Sequence, residues 1–200
     1  MSGARSTRHA TAILAAALSF PLCTCVVLAA DLEAVKKMAT ACFACHGADG
    51  RSVNPVVPSL AGQPKQFITT QLVMFREGNR KDPQMSPMAA NLSNADINDL
   101  GTYFSAQIPA PPAHAMDPEK MAASRRLTEQ NHCISCHGPE LKGQQHIPRL
   151  AGQQADYLRA QLRGFKASTR FDMDGQMTSA AQALSDADIE TLANYLAGIK

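Results

Sequence analysis

Cys42-Phe43-Ala44-Cys45-His46 and Cys133-Ile134-Ser135-Cys136-His137 each place two thiols and an imidazole at positions i, i+3 and i+4. On a helix those three side chains share one face. They can therefore address one flat macrocycle, with the sulfurs forming thioethers to two vinyl groups and the imidazole reaching the iron of a haem. A lone Cys-x-x-Cys also suits a zinc ribbon or a redox disulfide, but a zinc ribbon brings its Cys pairs much closer than the 91 residues found here, and a thioredoxin-like site needs a βαβ context. Both copies carry the trailing His. The pattern predicts two covalently attached haem c groups, held by Cys42, Cys45, Cys133 and Cys136, with His46 and His137 on the irons.

The sixth iron ligand must come from elsewhere in each copy. Met85 lies 39 residues after His46 and seven before Leu92, and Met177 lies 40 after His137 and seven before Leu184. Met88 and Met173 compete nearby, but the residue matching Met88 in the second copy is Ala180, so the repeat selects Met85 and Met177. Met38, Met74, Met116 and Met121 have no such partner and read as packing. A thioether raises the reduction potential, and two filled axial positions leave no iron site for a substrate. One-electron transfer is therefore expected, with no enzymatic activity and no catalytic residue. His132 and His146 offer bis-His alternatives but lack counterparts in the first copy and read as surface groups, while His114 falls in a linker. Pro58 and Pro148 follow the motifs where a carbonyl can accept a hydrogen bond from each His, a simple turn being the alternative. Arg80 and Arg170 align with each other, either as partners of haem propionates or as solvated surface groups.

The positioning elements are also duplicated. Pro58-Ser59-Leu60-Ala61-Gly62-Gln63 returns as Pro148-Arg149-Leu150-Ala151-Gly152-Gln153, and Leu92-Ser93-Asn94-Ala95-Asp96-Ile97 as Leu184-Ser185-Asp186-Ala187-Asp188-Ile189. Leu32, Val35 and Met38 recur at helical spacing ahead of Cys42, and Asp117-Pro118 is a helix start ahead of Cys133, so a helix is expected to end at each Cys pair. Phe67, Gln71, Leu72 and Phe75, matched by Tyr157, Gln161, Leu162 and Phe165, predict a second helix, closed in the first copy by Gly78. Ser93 with Asp96, and Ser185 with Asp188, predict a capped third helix. Strand-like alternation is absent, and both halves read as all-α. Residues 31–108 and 117–200 form the two expected domains, with a Pro-rich linker at 109–116. About 80 residues with three short helices need a staple, and a covalent haem supplies one.

Among the 200 residues, 45% are hydrophobic, 5% aromatic and none is Trp, so small aliphatic side chains must build the core. Arg5 and Arg8 precede an uncharged run from Thr11 to Ala30, which predicts a signal peptide over residues 1–30, cleaved near Ala29 or Ala30, and export to the periplasm. An uncleaved anchor is the alternative, since about 20 apolar residues span a bilayer. Pro21 opposes it, and Cys23 and Cys25 leave with the peptide. Without residues 1–30 the formal charge falls from +2 to zero, seven basic against seven acidic groups over 31–108 and ten against ten over 117–200. That balance excludes the basic surface a nucleic-acid partner demands.

With these motifs aligned, the chain resembles the di-haem cytochrome c4 family, two class-I-like cytochrome c domains in tandem, over about residues 31–200. The resemblance implies an all-α protein with each domain wrapped around one haem, and a periplasmic carrier, soluble or loosely held at the membrane, expected as a monomer. It implies redox partner proteins: a quinol-oxidising complex as donor and a terminal oxidase or reductase as acceptor. It also implies a pseudo-twofold interface that brings the haem propionate edges together. The attachment and ligand residues it carries over are Cys42, Cys45, His46, Met85, Cys133, Cys136, His137 and Met177. The alternative function is the dedicated cytochrome subunit of a periplasmic dehydrogenase.

Overall fold

A computed structural model describes Gly3 and residues 25–200, with side chains described from Glu33 onward. The signal-peptide reading therefore falls almost wholly outside the described residues. Among these, no helix is long and apolar enough to cross a membrane, and β structure is confined to an isolated Gln144–Ile147 bridge.

The first half comprises α1 (Cys25–His46), a 3-10 turn (Ala48–Gly50), α2 (Lys65–Arg76), α3 (Met85–Ala89) and α4 (Asn94–Ser105). The second comprises α5 (Pro118–Gln130), α6 (Cys133–His137), α7 (Ala155–Lys166), α8 (Gln176–Gln182) and α9 (Asp186–Ala197). Both halves are all-α, in agreement with the hydrophobic periodicity. In the first, α4 packs on α2 and on α1; in the second, α9 packs on α7 and on α5. The last helix of each half starts as expected. The Ser93 hydroxyl accepts from the Asp96 N–H and the Asp96 carboxylate accepts from the Ser93 N–H, and Ser185 and Asp188 repeat this capping box. A cap of this kind contributes about 1 kcal/mol.

Three features depart from the sequence reading. In the first half one continuous helix carries the Cys pair through to His46, but in the second α5 stops at Gln130, and His132 takes a left-handed φ of 56° before α6 begins. The expected helix ending at the Cys pair is thus two helices here. The short α3 and α8, which carry Met85 and Met177, were not anticipated, because five to seven residues offer too little periodicity to read. Met121 is exposed on α5, so it adds little packing, whereas Met74 is buried as expected.

The two cores use different residues for the same space. Phe104 packs edge to face against Phe43 and Tyr103 in the first half, and the Phe43 and Tyr103 rings are tilted to each other, with centroids 5.2–6.3 Å apart. Gly50 makes room: a Cβ there would lie 2.8 Å from the Phe104 ring. In the second half Ile134 and Leu196 stand at the positions of Phe43 and Phe104, and Leu141 stands at that of Gly50. Leu141 keeps the backbone role, its carbonyl accepting from Leu150 and Ala151 as that of Gly50 accepts from Leu60 and Ala61. Its φ of 56° is strained for Leu, but its fully buried side chain fills the volume the smaller Leu196 leaves.

The segment between the halves is irregular and packs against both. Gly62 lies against Pro109, Gly198 lies against Met116, and the Ala113 N–H donates to the Ala197 carbonyl.

Candidate haem sites

Each Cys-x-x-Cys-His motif ends a helix, and the chain then turns sharply at a glycine so that a proline carbonyl returns over the imidazole. His46 Nδ1 lies 2.8 Å from the Pro58 carbonyl oxygen, and His137 Nδ1 lies 2.8 Å from that of Pro148. A carbonyl only accepts, so Nδ1 carries the proton and Nε2 keeps its lone pair for a metal. Both rings are buried, and burial, opposed by that hydrogen bond, holds both pKa values below the usual histidine value. The imidazoles are thus neutral and oriented, the form in which histidine binds a metal. The turn reading of the two prolines is therefore incomplete, since both carbonyls engage histidine.

The four motif cysteines form no disulfide with one another. In each pair the first, Cys42 or Cys133, is partly buried and the second, Cys45 or Cys136, is exposed. Burial pushes the Cys42 and Cys133 thiols up in pKa. The two motifs stay apart: among the described residues, no three His, Cys, Asp or Glu side chains converge to hold a metal ion. A zinc ribbon would need such a convergence.

Met85 is the first residue of α3 and Met177 the second of α8, and both are partly buried, whereas their competitors Met88 and Met173 are 52% and 70% exposed. An aspartate fixes each start. The Asp82 carboxylate accepts from the Met85 N–H at 2.8 Å, and that of Asp172 accepts from the Met177 N–H at 2.9 Å. Burial pushes the Asp172 carboxyl up, but hydrogen bonds from backbone N–H groups, those of Met177 and Thr178 among them, outweigh it and hold the pKa low. Sequence reasoning missed both aspartates because their spacing to Met differs, three residues in one copy and five in the other.

Arg80 and Arg170 are neither solvated nor equivalent. Their guanidinium groups stack 4.6 and 4.5 Å from the ring centroids of Phe75 and Phe165. Arg80 donates to Gln71 at 2.6 Å and crosses to the other half to reach Tyr157 at 3.3 Å and Gln161 at 3.2 Å; Arg170 donates to Gln161. Burial pushes the Tyr157 hydroxyl up, but the two arginines outweigh it and bring its pKa below the ordinary value. Burial lowers Arg170 to about 10, and its Nε is a buried donor with no protein partner among the described residues. An orphaned cationic donor of this kind fits an anionic oxygen such as a propionate. His132 and His114 are exposed and His146 partly so.

Further contacts join the halves through the repeated Leu-Ala-Gly-Gln stretch. Gln63 and Gln153, only 3% and 5% exposed, each reach across to the backbone of the other half. Gln63 Nε2 donates to the Arg149 carbonyl and its Oε1 accepts from the Arg149 N–H, both at 2.9 Å. Gln153 Nε2 donates to the Ser59 carbonyl at 2.9 Å and its Oε1 accepts from the Ser59 N–H at 2.7 Å. Ser59 and Arg149 are equivalent positions, so the contact has the twofold character expected of the interface. The motif was visible in sequence only as a repeat marker; nothing in its residue types says that the amide points across an interface.

Thiols and an oriented neutral imidazole suit a haem in each half, and the orphaned Arg170 donor adds a place for an anionic oxygen in the second. The family model for cytochrome c matches the chain twice, over residues 32–106 and 121–200. The cytochrome c4 of Thiocapsa roseopersicina is 37% identical over 169 residues, covering 79% of this chain and 86% of the relative. The thiosulfate dehydrogenase electron acceptor of Thiomonas intermedia is 37% identical over 180 residues, covering 84% and 82%. The crystal structure of reduced cytochrome c4 from Pseudomonas stutzeri superposes with a TM-score of 0.78 at 32% identity, covering 84% of this chain and 98% of that one. Two haem c groups and one-electron transfer follow for a chain with these two domains and two motifs, and the chain belongs to the cytochrome c4 family.

Proposed function

We propose that the chain is a periplasmic carrier that takes electrons from a quinol-oxidising complex, delivers them to a terminal oxidase or reductase, and catalyses no reaction of its own. Residues 31–108 and 117–200 act as its two haem-carrying units, joined by 109–116. Cys42 and Cys45, with Cys133 and Cys136, provide the thioether anchors; His46 and His137 the proximal ligands; and Met85 and Met177 the distal ones. When bound, the haem supplies an iron that cycles between ferric and ferrous states.

The chain's own groups hold that iron ready to exchange an electron without rearrangement. Pro58 and Pro148 lock the imidazole tautomer, and Asp82 and Asp172 pin the backbone from which each thioether projects. With a haem bound, His46 or His137 together with Met85 or Met177 would hold its iron, and no coordination site would be left for substrate. The observation that carries this reading is the duplication of the whole set, histidine, carbonyl, methionine and aspartate, in both halves. Arg80 and Arg170, stacked on Phe75 and Phe165 beside the interface, are placed to pair with propionates and to lower the cost of burying their charge.

The test is spectroscopic. Two covalent haems per chain and the sulfur-to-iron charge-transfer band in the ferric protein are expected, with a mature mass lacking residues 1–29 or 1–30. One haem per chain, or rapid carbon monoxide binding with peroxide turnover, would overturn the carrier reading. The identity to a thiosulfate dehydrogenase electron acceptor favours a second reading, a dedicated acceptor for a periplasmic dehydrogenase. Co-purification of a stoichiometric dehydrogenase under mild conditions would decide for it, and purification as a monomer against it.

A further inference from the structure

The peptide that accepts each histidine's proton is the same peptide that is gripped by the opposite half. The Pro58 carbonyl accepts a hydrogen bond from His46 Nδ1 at 2.8 Å, and the N–H of that same peptide unit, on Ser59, donates to Gln153 Oε1 at 2.7 Å. The Pro148 carbonyl accepts one from His137 Nδ1 at 2.8 Å, and its peptide N–H, on Arg149, donates to Gln63 Oε1 at 2.9 Å. We propose that Gln153 and Gln63 are crossed positioning residues, each setting the electron richness of the proximal histidine in the other half through one shared peptide.

Hydrogen bonds in a chain polarise one another, by about 10–30% per bond. A peptide whose N–H is held by a buried amide oxygen has a more negative carbonyl, and a more negative carbonyl draws the Nδ1 proton harder. The imidazole then pushes more electron density toward Nε2, which favours the ferric iron. Both glutamines are almost fully buried, so water does not substitute for them. The second amide contact, from each Nε2 to the Ser59 or Arg149 carbonyl, fixes the side chain so that Oε1 cannot swing away.

The two relays are not identical. Gln153 Oε1 also accepts from the Gln154 N–H at 3.0 Å, whereas the residue after Gln63 is Pro64, which has no N–H to offer. Gln63 therefore gives its acceptor oxygen to the relay alone, and Gln153 divides its own. Two halves with the same motif thereby acquire different proximal environments. The polarising group of each sits across the interface, so separating the halves would alter both histidines together.

The inference rests on His46 and His137 being the iron ligands, which haem content and the low-spin spectrum of the unsubstituted protein test first. Gln153→Met and Gln63→Met keep the side-chain length and remove the amide. Redox titration of the two-haem protein should show Gln153→Met moving the first haem toward the ferrous state by about threefold to tenfold in its one-electron equilibrium, with the second unmoved. Gln63→Met should do the reverse. In the reduced protein, the Nδ1–H proton resonance of His46 should move upfield in Gln153→Met, and that of His137 in Gln63→Met. Equal shifts of both haems in each variant, or shifts confined to the half that carries the substitution, would reduce the glutamines to interface packing and overturn the relay. Gln153→Glu keeps the shape and the acceptor oxygen. It serves where Gln153→Met fails to fold, with a downfield move of the His46 proton expected and an unmoved one counting against the relay.

Discussion

Gly47 and Gly138 follow the two histidines in equivalent positions, yet alanine should cost far more at the first. Both backbones are mirror-extended, with φ 78° and ψ 169° at Gly47 and φ 80° and ψ 162° at Gly138. A side chain in that region costs about 1–3 kcal/mol wherever it occurs. Only at Gly47 is there also a collision. A Cβ there would lie 2.7 Å from the Arg51 carbonyl carbon and closer still to its oxygen, whereas one at Gly138 would meet nothing within 4 Å. The obstacle is backbone, held by the 3-10 turn that returns the Gly50 N–H to the Gly47 carbonyl, so relief needs main-chain movement worth about 1–3 kcal/mol more. Gly47→Ala should therefore lose about 2–6 kcal/mol and Gly138→Ala about 1–3. For halves of this size each kcal/mol lowers Tm by about 4–8 °C. Thermal unfolding of the two-haem protein, followed through the methionine-methyl NMR signal of each reduced haem, reads the halves separately. Equal losses in the two variants, or a larger loss for Gly138→Ala, would refute the reasoning.

Leu141→Ala should cost about 2–5 kcal/mol despite its strained φ, because Leu196 is too small to close the cavity; chemical denaturation of the second half checks this. Ser93→Ala and Ser185→Ala should each cost about 1 kcal/mol, in the half that carries them, by calorimetry. The Asp96 and Asp188 pKa values are lowered by their Ser93 and Ser185 hydrogen bonds. Their contribution is therefore complete above the unfolded carboxylate value of about 3.9 and is lost as pH falls through the lower folded values. Stability should decline across that window, and the serine variants should flatten the decline. Met85→Ala and Met177→Ala should each abolish half of the sulfur-to-iron charge-transfer band and lower one potential, while Met88→Ala, at an exposed position, should change neither.

The haem attachment, the duplication, the helical class and the capping boxes were legible in sequence because each depends on residues close together along the chain. A Cys-x-x-Cys-His motif or a Ser-x-x-Asp cap is complete within one or two helical turns, so spacing alone states the chemistry. Met85 over Met88 rests on comparing the two copies; Met85 is partly buried and Met88 is exposed. The packing of Leu141 and Leu196 in place of Gly50 and Phe104 and the pairing of Arg80 with Tyr157 were decided only by tertiary packing. So was the reach of Gln63 and Gln153 to the peptides beneath the opposite histidines. These contacts join residues about 55 to 95 apart in the chain, and which groups meet at that distance depends on how the helices cross and how the halves dock. A glutamine has the same donor and acceptor wherever it lies, and only the fold determines which backbone it engages.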